Sequence, residues 1–473
     1  MDVSLQFLGA AHCVTGSKYL LTLDGSGDMP GAPGGRRQVL IDCGLFQGLK
    51  ELRLRNRESL PFDPAGLAAV VLTHAHIDHS GYLPKLVRDG FRGRIFCTEP
   101  TADLLSIMLL DSAKLQEEEA AFANRKGYSK HHPAQPLYTQ ADVQQVLPLV
   151  ESVAYDAPLT FLEGSLTLTF REAGHILGSA IAELGVQGTT QRKQLVFSGD
   201  LGRYDNPVMH DPAAIGQADV LLVESTYGNR ETRIEDPEAE LARVVNEALG
   251  RGGVLLVAAF AVGRTQTLLY YLKNLRAEGR VPQVPVYVDS PMGIRVSDLY
   301  PRHPAAHRLG HGNVFDFPGL HFVTEAPDSK ALNDKAGQAI IISASGMCTG
   351  GRIVHHLYHR LPRPQDTLLL IGYQAEGTRG RRLQDGESEV KMFGELVPVR
   401  CHVEHLDGFS AHADRGELLR WLSNFQQPPK RTFVVHGEPE AAGALAETLR
   451  QEHHWPNVKV PDYLEAARLF EGI

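Results

Sequence analysis

Apolar residues in the first half of the chain come in short runs bounded by turns, the pattern of half-buried or buried strands. These runs predict strands at 3–8, 19–23, 39–41, 68–72, 166–170, 181–186 and 195–197, in a largely antiparallel or mixed sheet. Between the second and third, DGSGDMPGAPGGRR (24–37) predicts a long, mobile hairpin loop. Between residues 100 and 150 the period becomes helical, with Leu104, Met108 and Leu115 on one face. From Asn229 the rhythm is strand, glycine-rich turn, helix. VLLVAAF leads to GRTQTLLYYLKNLRAEG, where Leu268, Leu272 and Leu275 share a face, and VPVYVD leads to SPMGIRVSDLY. QAIIISAS then leads to GGRIVHHLYHRL, and TLLLIG to YQAEGTRGRRL. That alternation predicts parallel α/β units, entered through the acidic, helix-prone RETRIEDPEAELARVVNEAL. After Val397 short strands and histidine-rich turns return. The pattern predicts an α/β protein in which one domain, 1–228 and 398–473, is split by another at 229–397.

Composition narrows the class. With 43% hydrophobic and 22% charged residues among 473, a disordered, collagen-like or coiled-coil chain is excluded. MDVSLQFLGAAH is no signal peptide, and no apolar run reaches about 18 residues, so the expected setting is the cytoplasm, without a membrane partner. Lys+Arg 47 against Asp+Glu 56 gives a net charge of −9, which excludes nonspecific coating of nucleic acid but leaves room for a local basic groove. Five cysteines without a C-x-x-C pair exclude a disulfide framework and a thiolate zinc knuckle.

Histidine carries the chemistry: its 21 copies outnumber Phe (18) and Tyr (14). Several apolar strands end in a metal-binding or proton-transferring residue: Asp42 after VLI, His74, His76, Asp78 and His79 in THAHIDH, His175 in AGH, Asp200 in SGD, Glu224 in VES, and His436 in VVHGE. Side by side, such strands would bring these groups to one rim, where a cation offsets the repulsion between carboxylates. In H-x-H-x-D-H, His74 and His76 can point the same way while Asp78 and His79 serve a second ion, a spacing that fits two metals better than one. Nitrogen and oxygen ligands without sulfur make zinc the first choice, with manganese, iron and cobalt open.

Through THAHIDHSG, AGHILGSA and FSGDLGR the sequence resembles the metallo-β-lactamase superfamily, and through VESTYG, FSAHAD and VVHGE its β-CASP branch of nucleic-acid nucleases. FAVGRTQTLL, VDSPMG, SASGMCTGGR and GYQAEGTRGR are similar to those of bacterial and archaeal relatives of the endonuclease subunit of the cleavage and polyadenylation specificity factor. The resemblance implies a metallo-β-lactamase αββα sandwich with an inserted parallel α/β β-CASP domain. It implies two zinc ions, one held by His74, His76 and His175, the other by Asp78, His79 and His436, with Asp200 on both. Asp42 would orient the histidine loop, as carboxylates do for ligating imidazoles. His at the last motif, His436, accompanies RNA rather than DNA substrates in the family.

The implied activity is hydrolysis of single-stranded RNA, mainly endonucleolytic, leaving 5′-phosphate and 3′-hydroxyl ends, with exonuclease action open. Asp78 and Asp200 would hold the metals that activate a water. His412, oriented by Glu224, would protonate the leaving oxygen. Ser345, Gly346, Arg352 and Arg379 are expected at RNA phosphates. Six arginines in 351–382 face two acids, a local +4 that predicts a confined RNA track. KELRLRNR (50–57) is read equally as entrance lining or exposed helix. With the first strand expected at Val3, no accessory RNA-binding module of the kind archaeal relatives carry is expected, and a homodimer stays open. The alternatives are a DNA-acting β-CASP nuclease and a small-molecule metallo-hydrolase of the same superfamily.

Overall fold

In the strand Asp2–Phe7, Val3, Leu5 and Phe7 are fully buried while their neighbours are not, the period-two pattern of a strand with one dry face. The structure, a computed structural model, describes residues 1–25, 35–127, 133–189, 191–231, 236–312 and 314–473. Positions 26–34 of the loop expected at 24–37 lie outside them. The described residues fall into two units, one of Met1–Asn206, His210–Glu231 and His412–Ile473, the other of Pro207–Met209 and Thr232–Ala411.

Unit 1 holds two mixed sheets, each of seven strands among the described residues. The first runs in the order Ala466–Phe470, Asp2–Phe7, Tyr19–Asp24, Arg36–Ile41, Leu67–Val71, Arg94–Cys97, Val150–Ser152. The second runs Val458–Lys459, Arg431–Val435, Val220–Glu224, Arg192–Phe197, Ala180–Gln187, Leu166–Glu172, Leu159–Phe161. Their inner faces share one core, with the Phe7 and Phe433 ring centroids 4.9 Å apart. On the far face of the second sheet, Leu221, Val223 and Val434 pack against Leu418 and Trp421 of helix Arg415–Leu422 and Leu445 and Leu449 of helix Pro439–Gln451. On the far face of the first, Leu40, Val70 and Ile95 are fully buried. Its helices include Leu83–Arg88, Glu99–Lys126 and Gln140–Val146.

The long helix corrects one expectation. Leu104 and Met108 are buried, but Leu115 is 40% exposed. The buried positions of this 28-residue helix lie mostly between Pro100 and Ala113, so its apolar face is covered mainly over the first half.

Unit 2 is built on six parallel strands in the order Leu320–Phe322, Val286–Asp289, Ala339–Ser343, Val254–Ala258, Thr367–Ile371, His402–Leu406. Three of the inner ones are completely buried, as parallel strands covered on both faces must be. Leu268, Leu272 and Leu275 form the dry face of helix Arg264–Ala277. HVEHL supplies the edge strand beside Thr367–Ile371, and the compact unit that it belongs to runs to Ala411. Among the described residues no helix is long and apolar enough to cross a membrane.

Candidate metal centre

Strand direction assembles the site. Arg36–Ile41 and Leu67–Val71 run parallel, as do Arg192–Phe197, Val220–Glu224 and Arg431–Val435. Leu166–Glu172 is two antiparallel steps from Arg192–Phe197 and so points the same way. Their C-terminal ends deliver Asp42, His74, Asp200, Glu224, His436 and His175 to one edge. Asp42 and His436 leave their strands in the left-handed region, at φ 56° and 50°, a conformation that costs an L-residue roughly 1–2 kcal/mol. Gly437 makes the second of these turns feasible, since a Cβ there would stand 2.2 Å from Ser225 Oγ.

Two sets of donor atoms converge. His76 Nδ1 lies 3.2 Å from both His74 Nε2 and His175 Nε2, and Asp200 Oδ2 lies 3.4 Å from His74 Nε2 and 3.6 Å from His175 Nε2. In the second set His79 Nε2 lies 3.2 Å from His436 Nε2 and 3.3 Å from Asp200 Oδ1, and Asp78 Oδ2 lies 3.6 Å from His436 Nε2. A tetrahedral ion with bonds of about 2.0–2.1 Å has ligand–ligand edges of roughly 3.3 Å, so both sets have the size of a metal shell. Three imidazole nitrogens facing one another hold more lone pairs than protons, and the buried Asp200 Oδ1 accepts no hydrogen bond. A cation resolves both problems, and the residues present fit one in each set.

Hydrogen bonds beyond these atoms fix the tautomers. Asp42 accepts from His79 Nδ1 at 2.8 Å, which leaves His79 Nε2 a lone pair, and also from the Thr73 N–H at 2.8 Å. The Thr73 hydroxyl reaches His74 Nδ1 at 3.1 Å, and the Thr226 hydroxyl reaches His436 Nδ1 at 3.1 Å. Thr73 and Thr226 flank motif residues in LTHAH and ESTYG, yet the sequence reading passed over them. A hydroxyl beside a ligand-type histidine was the available signal.

Electrostatics follow the same division. Burial, followed by the neighbouring His79, holds His74 well below the usual imidazole range, and burial brings His76 down to about 4, so both stay neutral. Burial pulls His79 down as well, but the carboxylates of Asp200 and Asp42 outweigh it and raise it. Asp200 is held well below the ordinary carboxylate range, where burial is overcome by His436, His79 and His74.

His412 borders this cluster, its ring centroid 4.5 Å from that of His175. Its Nδ1 donates to both Glu224 oxygens, at 3.1 and 3.2 Å. Glu224 is fully buried and is anchored in turn by the Leu201 N–H at 2.7 Å. Burial lowers the His412 pKa, but the Glu224 charge overrides it and the value is raised. Asp200, Glu224 and His412 also offer atoms within 4.8 Å of one another.

The residues expected at RNA phosphates lie in unit 2. Ser345 and Gly346 follow the strand Ala339–Ser343, and the Ser345 hydroxyl accepts from the Thr349 N–H at 3.1 Å. Arg352 donates to Asp289 Oδ1 at 2.6 Å and to the Val323 and Thr324 carbonyls. Arg379 donates to the Cys348 carbonyl. Part of the +4 of 351–382 is offset by acids outside the segment: Arg352 pairs with Asp289, Arg381 with Asp385 and Arg382 with Glu387, while Arg360 pairs with Asp366 within it.

A two-sheet sandwich with paired nitrogen and carboxylate donors at one edge is the architecture of a metallo-hydrolase, and the comparisons agree. Family models match for the Beta-lactamase superfamily domain at residues 37–249, the Beta-Casp domain at 265–383 and the Zn-dependent metallo-hydrolase RNA specificity domain at 396–461. Ribonuclease TTHA0252 of Thermus thermophilus is 40% identical over 93% of this chain and 94% of its own length. Transcription termination factor FttA of Methanocaldococcus jannaschii is 31% identical over 91% of this chain and 68% of its own. Its counterpart in Methanosarcina mazei is 32% identical over 87% of this chain and 65% of its own. The chain belongs to the β-CASP branch of the metallo-β-lactamase superfamily.

Proposed function

We propose that this protein is a zinc-dependent ribonuclease that hydrolyses phosphodiester bonds of single-stranded RNA, mainly endonucleolytically, leaving 5′-phosphate and 3′-hydroxyl ends. The observation that carries the reading is the pair of donor sets sharing Asp200, with His412 at their border. The match to an RNA specificity domain and the similarity to a ribonuclease favour RNA over DNA or a small molecule.

In this reading His74, His76 and His175 would hold one zinc and Asp78, His79 and His436 the other, with Asp200 available to both sets. Bound zinc supplies Lewis acidity toward the phosphate and a water of lowered pKa. The protein's own residues do the rest. Asp42 and Thr226 keep the ligand imidazoles in the required tautomers. Glu224 keeps a proton on His412 Nδ1, so the proton given to the leaving 3′-oxygen is the one on Nε2. Raising the imidazole pKa keeps that proton available near neutral pH.

The test uses RNA labelled separately at each end, with and without chelator, beside a matched single-stranded DNA. Metal-dependent internal cuts in RNA are expected. Intact RNA with a fully metallated protein would sink the proposal. In parallel, His412→Ala should keep both metals by elemental analysis and lose about 10²–10⁴-fold in rate, the usual contribution of a proton donor. Undiminished cleavage in that variant would remove His412 from the mechanism.

A further inference from the structure

The basic segment 50–57 gathers four basic side chains within eight residues beside the loop that leads on from Asp42. Lys50–Arg55 is a short helix on which Lys50 and Arg53 are exposed, as is Arg57 just beyond it, and Leu54 between them is 53% exposed. Arg55 is half-buried, its guanidinium 4.1 Å over the Tyr463 ring and 5.6 Å from that of Phe46. Among the described residues none of these four side chains is ion-paired with a carboxylate, although Glu51 and Glu58 adjoin them. Arg57 reaches a carbonyl, that of Gln135, at 2.8 Å. Several exposed cations elsewhere are held by carboxylates, Arg243 by Glu240 and Glu247, Arg171 by Asp156 and Arg382 by Glu387. In a chain of net charge −9, four basic residues and one Glu in eight positions give a local +3.

Their placement is as informative as their charge. The loop that joins Asp42 to this helix lies along the turn carrying Asp78 and His79, with the Cys43 N–H donating to the His79 carbonyl at 2.7 Å and the Leu45 N–H to the Ile77 carbonyl at 2.9 Å. The Asn56 side chain then clasps Phe46 from both sides, accepting from its N–H at 2.9 Å and donating to its carbonyl at 2.8 Å. The cationic helix is thus latched, one loop away, to the same backbone that positions two of the donor residues.

We infer that residues 50–57 are a track for the substrate's backbone: RNA reaching the centre lays its phosphates against Lys50, Arg53 and Arg57, beside an Arg55 held flat on Tyr463. The inference rests on the RNA reading and adds to it where the strand runs on unit 1. Phosphate is the chemistry such a surface takes, because each neutralised phosphate also releases a condensed counterion. The contrast with unit 2 favours this location, since four of the six arginines in 351–382 have carboxylate partners.

The experiment measures binding of a fluorescent single-stranded RNA of about 20 nucleotides to the metal-loaded protein across a salt series, made uncleavable by phosphorothioate substitution. Three proteins are compared: wild type, Lys50→Gln/Arg53→Gln/Arg57→Gln, and the charge-retaining Lys50→Arg/Arg53→Lys/Arg57→Lys. Removing three phosphate contacts should flatten the slope of log affinity against log salt by about 2, at about 0.7 per contact on single strands, with at least a tenfold loss of affinity at low salt. The charge-retaining protein should keep the wild-type slope, and thermal melts should show the neutral variant folded. An unchanged slope in a folded neutral variant overturns the inference and leaves the ribonuclease reading standing; it would also assign the patch to a protein partner instead. A wild type that neither binds nor cleaves RNA overturns both. If the neutral variant is unfolded, the single variants Lys50→Gln, Arg53→Gln and Arg57→Gln decide: slopes reduced by about 0.7 each in folded proteins support the inference, and unchanged slopes overturn it.

Discussion

Asp42 makes the clearest case for what one side chain contributes without touching a reacting atom. It accepts from His79 Nδ1 and from Thr73, so removing it frees an imidazole that must present Nε2. Asp42→Ala should weaken metal binding about 10–100-fold, the usual cost of losing such a partner, measurable by competition with a chromophoric chelator. An unaltered affinity would reduce Asp42 to a turn residue. Lys18 poses a different problem. Its ammonium is buried against the rings of Phe46 and Tyr82 with the Gly44 carbonyl at 2.6 Å, and burial pushes its pKa down from 10.5 to about 8. Below about pH 8 the folded and unfolded chains both carry the proton, and the cost of burying the charge is fully present. Between about 8 and 10.5 the unfolded chain binds the proton and the folded one does not, so stability rises with pH across that window. Measured by urea unfolding, the wild type should gain about 3 kcal/mol on Lys18→Met between pH 7.5 and 10.5, at about 1.36 kcal/mol per pH unit. A constant difference between the two proteins would refute the assignment.

At the scale of elements, the segment carrying His412 is held on both sides. Its backbone bridges to Gly202, two residues past Asp200, and the Ala413 N–H donates to the Leu201 carbonyl at 2.8 Å. It then enters helix Arg415–Leu422 through a capping box in which Asp414 and Glu417 satisfy each other's backbone N–H groups. Asp414→Ala should cost about 1 kcal/mol through the lost cap and lower the cleavage rate with metal content intact. Calorimetry beside elemental analysis tests this, and loss of metal would indicate a wider collapse. The elements themselves were legible from periodicity, because short buried strands and their turns are local signals. The exposure of Leu115 was not, since periodicity does not tell which turns of a long helix a neighbour covers. The partner of Arg352 was not legible either: Asp289 lies on another strand, and no spacing along the chain announces it. The strand ends were the most readable part of the candidate site, because their residue types are unusual where apolar runs stop. The threonines that orient them were hidden by being ordinary.

At the scale of the molecule, the donor atoms come from stretches as distant in sequence as His74 and His436, so a bound cation ties together strands of both sheets of unit 1. Metal binding therefore adds to folding stability by RT ln(1 + [L]/Kd), about 4 kcal/mol when the free metal is 1,000 times its Kd. Chelation should lower the melting temperature of the wild type by several degrees and leave that of His74→Ala/His79→Ala much less affected. Equal shifts in both proteins would place the stabilising ion elsewhere.

The order in which the sheet is filled has a consequence for synthesis. Strand Arg431–Val435 takes its place beside Val220–Glu224 only after the whole of Thr232–Ala411 has been made. A polypeptide still on the ribosome can gather His74, His76, His175 and Asp200, but it lacks both His412 and His436. Under the proposed chemistry such a nascent chain is inert toward the message being translated, and the capacity to cut arrives only once synthesis has passed His436.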